Sequence, residues 1–393
     1  MKVVLDCSLN HVHPRHFAFQ DIVEKGEKSE YKDWFTVFDY PVRFLHRPHL
    51  YANTYKVGWD GNAEEYKTYL EKTFKETKVP VEVVDDDGPI IEPTFKAWWG
   101  VPDMPKINFK NDGARQWALD VTEHWIKNFD IDGWRMDVAK ELDFSFWKDF
   151  RDVAYSAKKD ILLISEIFGD TSQWLQGERF DGTMNYSFRE TMTDYFATKR
   201  IDNKEFANSL ANLYSMYSFE ALSSCQNLLS SHDVKRFLNR CGANTDGMFG
   251  AIFLQATFPG IAGIYYGDEI GLGGADDPFN REPFPWESED KWNKDLLKFT
   301  SELMNIKTSQ PILRYGNFEM VTYDDNYVIF RRVLNDESLL CIVNRDLNNK
   351  DIELNTNAHS VDMVYGDCSI ELDSGKLKIT DIADNFGLII KES

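Results

Sequence analysis

The sequence predicts an α/β fold in which parallel strand–helix units form a barrel and a small antiparallel β domain follows. Short apolar strand segments alternate with helical periods up to residue 307, which is the pattern of parallel βαβ units. After Pro311 the pattern changes to short strands separated by turn residues, several with period-two alternation. Six strand–helix units can be counted, and the eight-stranded barrel is the natural closed form of this pattern.

The first part of the chain combines a short strand with a long irregular stretch. The apolar run 3–5 ends at Asp6 and has the character of a buried strand. Residues 12–108 are too many for a simple loop, so we expect a small inserted subdomain there. A helix should follow, with Asp112 as its N-cap. Its apolar residues recur at four-residue spacing and are Trp117, Val121, Trp125 and Phe129.

The remaining elements continue the alternation and then give way to antiparallel strands. Further barrel strands are predicted at 134–138, 161–164, 183–188, 226–230 and 261–266, and helices at 144–157, up to 217, at 247–257 and at 290–307. Antiparallel strands are predicted at 328–330, 339–343, 352–354, 377–379 and 388–390. Because the active groups of a parallel barrel gather where its strands end, the strand ends are the places to look for chemistry.

The composition narrows the classes of function. The chain has 393 residues and a formal net charge of -21, and so acidic a protein repels phosphate backbones, which argues against nucleic-acid binding. No apolar run reaches the length of about 18 residues that a membrane span needs, and no signal peptide is recognised. The five cysteines are scattered and form no CxxC pair, which fits reduced thiols and predicts a cytoplasmic location.

Carboxylates stand at the ends of four predicted strands. Asp6 ends the first strand, Asp137 the second and Glu166 the third, and Asp233 follows a later one. Placing several carboxylates close together costs free energy unless a counter-charge compensates, so such a cluster suggests a functional site. Arg135 supplies the counter-charge, because it stands two residues before Asp137 and both side chains therefore point to the same face of the strand.

These residues suggest an acid–base pair. A guanidinium beside Asp137 keeps that carboxylate ionised, as a nucleophile requires. We expect like charges around Glu166 to raise its pKa, which suits a proton donor, and the pair matches the two-carboxylate requirement of glycoside hydrolysis. A purely structural alternative, a buried ion pair of Arg135 with Asp137, stays open for that pair but does not explain the whole ordered set.

Six short segments resemble the signature regions of one enzyme family. The first four are residues 6–11, 133–137, 165–167 and 231–233, and the other two are 104–108 and 267–271. They read Asp-Cys-Ser-Leu-Asn-His, Gly-Trp-Arg-Met-Asp, Ser-Glu-Ile, Ser-His-Asp, Met-Pro-Lys-Ile-Asn and Gly-Asp-Glu-Ile-Gly. Each segment alone is weak, but six in this order are specific. The chain thus resembles the α-amylase family of glycoside hydrolases over nearly its whole length.

The resemblance implies a fold in more detail. The family has a (β/α)8 TIM barrel, a domain B inserted after the third strand, and a C-terminal antiparallel β domain. On this pattern, 1–11 holds barrel strand three, 12–108 is domain B, 109–310 is the rest of the barrel and 311–393 is the C-terminal domain. The chain then lacks the first two strand–helix units of the barrel, and a complementing N-terminal segment is one source considered for them.

The resemblance also implies roles for individual residues. Asp137 is the expected nucleophile, Glu166 the acid/base and Asp233 the transition-state stabiliser. The residues expected to contact the substrate are His11, Arg135, Lys140, Glu141, His232 and Arg281. The chemistry of the histidines agrees, because a neutral imidazole can donate a hydrogen bond to a sugar hydroxyl.

Some residues match one subgroup of the family and others depart from it. Segments 104–108 and 277–283 resemble the neopullulanase, cyclomaltodextrinase and maltogenic amylase group. Lys140 stands where that group usually has Asn, and Phe168 stands where it usually has Trp. The resemblance therefore does not fix the cleavage preference.

Neither a metal nor a cofactor is predicted. His11, His13 and His16 are close in sequence, but their spacing suits neither one helix face nor a known zinc finger. The family often carries calcium near Asn10, and none of its other ligands can be identified in this sequence.

The predicted function is hydrolysis, with or without glucosyl transfer, of α-1,4 or α-1,6 bonds in starch-, pullulan- or cyclodextrin-type glucans through a covalent intermediate. The alternative is an inactive barrel fragment that at most binds glucan. The intact set of three carboxylates favours the enzyme, and the two strand–helix units that the chain lacks favour the fragment. The expected partner is an α-glucan rather than nucleic acid or a membrane. The protein partner that the sequence allows is a second copy of the chain, as a homodimer, or a complementing N-terminal segment.

Overall fold

The computed structural model describes residues 1–51, 63–346, 350–383 and 386–393. The chain folds into two compact units, Met1–Glu166 and Ile167–Ser393. Within the described ranges, no helix combines the length and the apolar character that crossing a membrane requires. All five cysteines are free thiols.

The first unit begins with a barrel-type strand and continues into the predicted insertion. Its first elements are β1 (Val4–Ser8), α1 (Phe17–Lys25), β2 (Phe44–His46), α2 (Ala63–Thr77), β3 (Val81–Val83) and β4 (Ile91–Pro93). Strand β2 pairs in parallel with β3 and antiparallel with β4. Phe19, Phe44 and Phe95 pack together in the buried core of this part, which gives the insertion an apolar centre.

The second half of this unit carries the strands that position the candidate site. Its elements are α3 (Asp112–Phe129), β5 (Gly133–Asp137), α4 (Phe144–Ala157) and β6 (Leu162–Ser165). Strand β5 pairs in parallel with both β1 and β6, so that Asp6 lies opposite Arg135 and Met136 lies opposite Ser165. Gly133 permits close approach to β6, because a Cβ there would lie 2.6 Å from the carbonyl oxygen of Leu162.

The predicted N-cap of α3 was wrong by one residue. Asn111 has extended backbone angles, and its side chain accepts a hydrogen bond of 3.0 Å from the backbone nitrogen of Ala114. Asp112 is the first helical residue instead. A carboxylate in the first turn still favours the positive end of the helix, so both residues carry a helix-start signal and the sequence does not separate them.

The buried face of α3 also differs from the predicted one. Trp125 and Phe129, two of the residues in the predicted apolar row, are 38% and 58% exposed. The buried residues are Ala114, Ala118, Leu119, Thr122 and Ile126. A strict four-residue row drifts around a helix of 3.6 residues per turn, whereas the buried residues keep to one face.

The second unit continues the alternation of strands and helices. Its strands in this part are β7 (Gly182–Thr183), β8 (Gln226–Leu228) and β9 (Ile261–Gly263), with β8 and β9 paired in parallel. Its helices are α5 (Tyr186–Met192), α6 (Asn203–Ser215), α7 (Phe219–Ser224), α8 (Phe237–Arg240), α9 (Asp246–Thr257), α10 (Lys294–Ser309) and α11 (Pro311–Tyr315). The alternation of strands and helices is confirmed, but the strand predicted at 183–188 was wrong, because β7 ends at Thr183 and α5 begins at Tyr186. Closure of the strands into a barrel stays a prediction.

The predicted C-terminal antiparallel sheet is confirmed, and the described residues of this region form three more strands than the sequence indicated. The strands are β10 (Asn317–Tyr323), β11 (Val328–Leu334), β12 (Glu337–Val343), β13 (Ile352–Asn355), β14 (Val361–Tyr365), β15 (Ser369–Asp373), β16 (Lys376–Thr380) and β17 (Gly387–Glu392). They form one sheet in the order β10-β11-β12-β17-β14 and another in the order β13-β16-β15. The extra strands are β10, β14 and β15, which pair at sheet edges, where the apolar signal is weaker.

One apolar core joins the helices and the antiparallel strands of the second unit. Phe253 of α9, Leu303 of α10 and Phe330 of β11 are buried in the same cluster. The predicted boundary at residue 311 is therefore not a break in apolar packing within this unit. The four-part division of the chain stays a prediction.

Candidate active site

The guanidinium of Arg135 binds three carboxylates. Its Nη1 atom lies 2.7 Å from Oδ1 of Asp6 and 3.0 Å from Oδ1 of Asp137, and its Nη2 atom lies 2.5 Å from Oε1 of Glu166. The strand register explains the arrangement, because Arg135 is opposite Asp6 on β1 and projects from the same face of β5 as Asp137. The predicted counter-charge is thus in place, and it serves Asp6 and Glu166 as well as Asp137.

The three carboxylate side chains that contact Arg135 differ in how far they are buried. The side chain of Glu166 is 7% exposed, that of Asp137 is 24% exposed and that of Asp6 is 58% exposed. The backbone nitrogen of Val138 donates to Oε2 of Glu166 at 3.3 Å, and Oε1 of Glu166 forms the ion pair with Arg135. Although burial lowers the pKa of Arg135, the charges of Glu166 and Asp6 outweigh it and raise that pKa. The guanidinium therefore stays charged among these groups.

The contact between Arg135 and Glu166 was not part of the sequence prediction. The sequence suggested that Glu166 has like-charged neighbours, and the structure adds a cation in direct contact with it. One guanidinium holds Asp137 and Glu166 through two different nitrogens at the ends of adjacent parallel strands. Such a pair of fixed carboxyl groups can combine a nucleophile with a proton donor.

His11 lies close to these carboxylates and stacks on an aromatic ring. The ring centroids of His11 and Trp98 are 5.1 Å apart, with an angle of 6° between the planes. Burial lowers the pKa of His11, against the opposing charges of Asp137 and Asp103. The imidazole is therefore neutral at neutral pH, as a hydrogen-bond partner of sugar hydroxyls requires.

Two further predicted substrate contacts, Lys140 and Glu141, lie on the short helical turn that follows β5. Both residues are exposed. Glu141 accepts a bond of 2.6 Å from Nζ of Lys106, a residue of the 104–108 segment. This ion pair links the insertion to the end of β5, which brings two of the signature segments together.

The remaining predicted residues lie in the second unit. Asp233 follows β8 in a turn in which its backbone nitrogen bonds to Oγ of Ser231 at 3.1 Å. Nε2 of His232 lies 3.0 Å from Oδ2 of Asp233, and Nη2 of Arg281 lies 3.7 Å from Oδ1 of Asp233. Arg281 also pairs with Asp277 through Nε at 2.7 Å. His232 and Arg281 are therefore both neighbours of Asp233.

A buried amide beside this turn escaped the sequence prediction. Asn280 is fully buried, and its Nδ2 atom contacts the backbone carbonyls of the turn that carries Asp233. The sequence marks segment 277–283 as a motif but predicts only Arg281 from it as a site residue, because a charged side chain is the more obvious candidate. The signal in the sequence is only the asparagine beside that arginine within the segment, and its burial is visible in the structure alone.

The three histidines near the N-terminus contact different residues. His11 stacks on Trp98, Nδ1 of His13 accepts a bond from the backbone of Arg15, and His16 packs against Trp117. In the part of the chain that the structure describes, no group of three His, Cys, Asp or Glu residues could hold a metal ion. The expectations about metal and cofactor stay predictions.

Comparison with known proteins finds similar sequences over most of the chain. A family model described as the catalytic domain of alpha amylase matches residues 94–312. A cyclomaltodextrinase of Thermoanaerobacter pseudethanolicus is 32% identical over 356 residues, which are 90% of this chain and 54% of that protein. Neopullulanase 2 of Thermoactinomyces vulgaris is 34% identical over 346 residues, 88% of this chain and 51% of that protein. The predicted likeness to the neopullulanase and cyclomaltodextrinase group is confirmed.

A solved structure agrees with these sequence relatives. The debranching enzyme of Nostoc punctiforme has a TM-score of 0.81 and 27% identity, covering 100% of this chain and 76% of that chain. The chain spans about half the length of the curated relatives it matches.

Proposed function

Because the chain belongs to the α-amylase family, we propose that it is a retaining hydrolase of α-1,4 or α-1,6 glucosidic bonds in starch-, pullulan- or cyclodextrin-type glucans. The observation that carries the proposal is the shared guanidinium. Arg135 holds Asp137 and Glu166 through separate nitrogens at the ends of neighbouring strands. Two carboxyl groups presented together are what retaining glycoside hydrolysis needs.

In the proposed first step, a carboxylate oxygen of Asp137 attacks the anomeric carbon of the glucosyl unit. The bond from that carbon to the glycosidic oxygen breaks, and the proton of Glu166 passes to the departing oxygen. An ion pair with a guanidinium favours an ionised carboxylate. We therefore propose that the contact of Arg135 with Glu166 lengthens when substrate enters, so that Glu166 can carry this proton.

In the second step, Glu166 removes a proton from water, and the water oxygen attacks the same anomeric carbon. The ester bond to Asp137 breaks, and the sugar leaves with its original anomeric configuration. A sugar hydroxyl in place of water would give glucosyl transfer. The hydrolytic and the transfer reactions thus share one intermediate on Asp137.

The proposed sugar contacts follow from the chemistry of each side chain. His11 is a neutral imidazole beside Asp137 and suits a hydroxyl of the reacting glucosyl unit. Asp233 is proposed as the transition-state stabiliser because its sequence segment resembles that of the family. His232 and Arg281, which lie beside Asp233, are proposed to contact the substrate. Lys140 and Glu141, exposed after β5, are proposed to contact substrate beyond the reacting unit.

The alternative hypothesis, an inactive fragment that at most binds glucan, is less favoured. A binding protein has no need to gather Asp6, Asp137 and Glu166 around one guanidinium, because sugar binding alone does not require two fixed acids. Cytoplasmic location, a homodimer and a complementing N-terminal segment stay predictions.

The proposal is tested by measuring reducing-sugar release from β-cyclodextrin, pullulan and soluble starch, with dextran as a glucan of other linkage. We expect release from at least one of the first three. Glu166→Gln removes the proton donor, so its turnover should fall by ~10²–10⁴. Glu178→Gln, an exposed glutamate, is the matched control. Release that stays the same in Glu166→Gln, or no release from any of the substrates, would show the proposal to be wrong.

A further inference from the structure

We infer that Asn280 is a positioning residue for Asp233, whose backbone turn it holds through a buried side-chain amide. The inference rests on the proposed function of Asp233, and it assigns to Asn280 no contact with substrate. It concerns only the second unit, in which all of the residues involved lie.

The amide of Asn280 reaches three carbonyl groups of one turn. Its Nδ2 atom lies 2.9 Å from the carbonyl oxygen of His232, 3.0 Å from that of Val234 and 3.3 Å from that of Ser231. A side-chain NH2 group is the part of asparagine that can donate to carbonyls, so these neighbours fix its orientation. The contacts bracket Asp233 on both sides along the chain.

The turn of Asp233 also has contacts of its own. Ser231 and Val234 form an isolated antiparallel bridge, and the backbone nitrogen of Asp233 bonds to the hydroxyl of Ser231. Carbonyl groups that are buried require hydrogen-bond donors. Asn280, which is 0% exposed, supplies the donor that a water would supply at an open surface.

Asn280 is itself held in place by a buried arginine. Nε of Arg236 donates to the carbonyl oxygen of Asn280 at 3.1 Å, and Nη1 of Arg236 donates to the carbonyl oxygen of Tyr266 at 2.8 Å. Gly274 allows the segment to pack closely, because a Cβ there would lie 2.8 Å from Cα of Asn280. Both the backbone and the side chain of Asn280 are therefore fixed.

The arginine is anchored in turn. Oδ1 of Asp268 lies 3.3 Å from Nη1 of Arg236 and accepts a bond of 2.9 Å from the hydroxyl of Ser230. A continuous chain of contacts thus runs from the segment after β9 through Arg236 and Asn280 to the turn of Asp233. Nη2 of the neighbouring Arg281 lies 3.7 Å from Oδ1 of Asp233. Asn280 thus contacts the backbone of the turn, and Arg281 contacts the side chain of Asp233.

A positioning role predicts a loss in the chemical step rather than in binding. Without the amide, the turn can shift, and a displacement of about 1 Å of a catalytic group lowers turnover by about 10²-fold. We expect Asn280→Ala to lower kcat for β-cyclodextrin about 10- to 100-fold with a change in KM of less than about 3-fold. Asn280→Ser, which keeps one donor, should lie between Asn280→Ala and the wild type.

The matched control is Asn227→Ala. Asn227 is also 0% exposed and donates to the carbonyl oxygen of Pro259 at 2.9 Å, so its loss disturbs a buried amide away from the turn of Asp233. Asn227→Ala should lower the melting temperature without a selective fall in kcat. If Asn280→Ala does not yield folded protein, Asn280→Ser carries the same comparison.

The deciding experiment is a double-mutant cycle with Asp233→Asn. If Asn280 acts through Asp233, Asn280→Ala should lower kcat much less in the Asp233→Asn background than in the wild type. An equal loss in both backgrounds, or a wild-type kcat in both Asn280 variants, would overturn the inference. Full activity of Asp233→Asn alone would instead contradict the role proposed for Asp233, which is a separate failure.

Discussion

Nη2 of Arg135 lies 2.5 Å from Oε1 of Glu166, although the two residues are on different strands and 31 positions apart in the sequence. The same guanidinium contacts Asp137 through its other terminal nitrogen at 3.0 Å. One side chain therefore sets the positions of both carboxyl groups to which the proposed chemistry is assigned. The relationship makes Arg135 the most informative residue to change.

Arg135→Lys should reduce turnover although it preserves the charge. A lysine has one nitrogen and cannot repeat the two-point contact of the guanidinium with Asp137 and Glu166. We expect kcat for cyclodextrin or starch to fall at least ~10²-fold, the scale of misplacing a reacting group. Arg200→Lys, at an arginine with a 68% exposed side chain, is the control and should keep normal kcat.

Arg135→Met should affect stability as well as turnover. It leaves the buried carboxylate of Glu166 without its cation, and breaking a buried pair in this way lowers the free energy of unfolding by about 3–5 kcal/mol. Urea denaturation of the wild type, Arg135→Lys and Arg135→Met measures this directly. If Arg135→Met were as stable as Arg135→Lys, the cluster could not be the buried ion-pair system described above.

The stereochemistry of the product tests the retaining mechanism. A covalent intermediate requires two inversions, so the first product released from an α-glucan should be the α-anomer. Proton NMR during the first minutes of hydrolysis separates the anomers before mutarotation mixes them. Early accumulation of the β-anomer would show an inverting reaction and would remove Asp137 from the role of nucleophile.

Lys307 should make the stability of the second unit depend on pH. Burial, with a contribution from Arg332, lowers the pKa of Lys307 to about 7. Its Nζ donates to the carbonyl oxygens of Ala256 and Phe258 near the end of α9. An unfolded lysine keeps its proton up to about pH 10.4, so between pH 7 and pH 10 the unfolded state binds more protons and stability rises with pH.

Lys307→Met removes this titration. The free energy of unfolding of the wild type relative to Lys307→Met should increase between pH 7 and pH 10, by up to about 1.4 kcal/mol per pH unit. The control is Lys298→Met, which changes a lysine of the same helix with a 76% exposed side chain and should show no such slope. A flat difference for Lys307→Met over this range would mean that Lys307 stays protonated when folded.

The sequence predicted the ends of β1, β5 and β6 well, because signals between neighbours in the chain determine them. The two-residue period of a strand placed Arg135 and Asp137 on one face, and their contact agrees with it. An apolar run ending in a carboxylate marked the ends of β1, β5 and β6 to within two residues. These features depend on neighbours in the chain, which a sequence contains.

The parts that the sequence missed depend on which segments meet. The contact of Arg135 with Glu166 follows from the register of β5 against β6, and the burial of Asn280 follows from its packing against the turn of Asp233. The apolar row assigned to α3 failed for a similar reason. Trp125 has a strong apolar signal, but the face that packs is chosen by the neighbouring elements, and there the small side chain of Ala118 fits.

The most direct measurement is to trap the intermediate and locate it. A slow glycosyl donor such as a 5-fluoro-α-glucosyl fluoride should add one fluoroglucosyl unit to the enzyme, and peptide mass spectrometry should find it on Asp137. Glu166→Gln should accumulate the same adduct from an activated donor, because deglycosylation needs the base. The account predicts a single ester on Asp137. An adduct on another residue, or steady hydrolysis without any adduct and with inverted product, would contradict it.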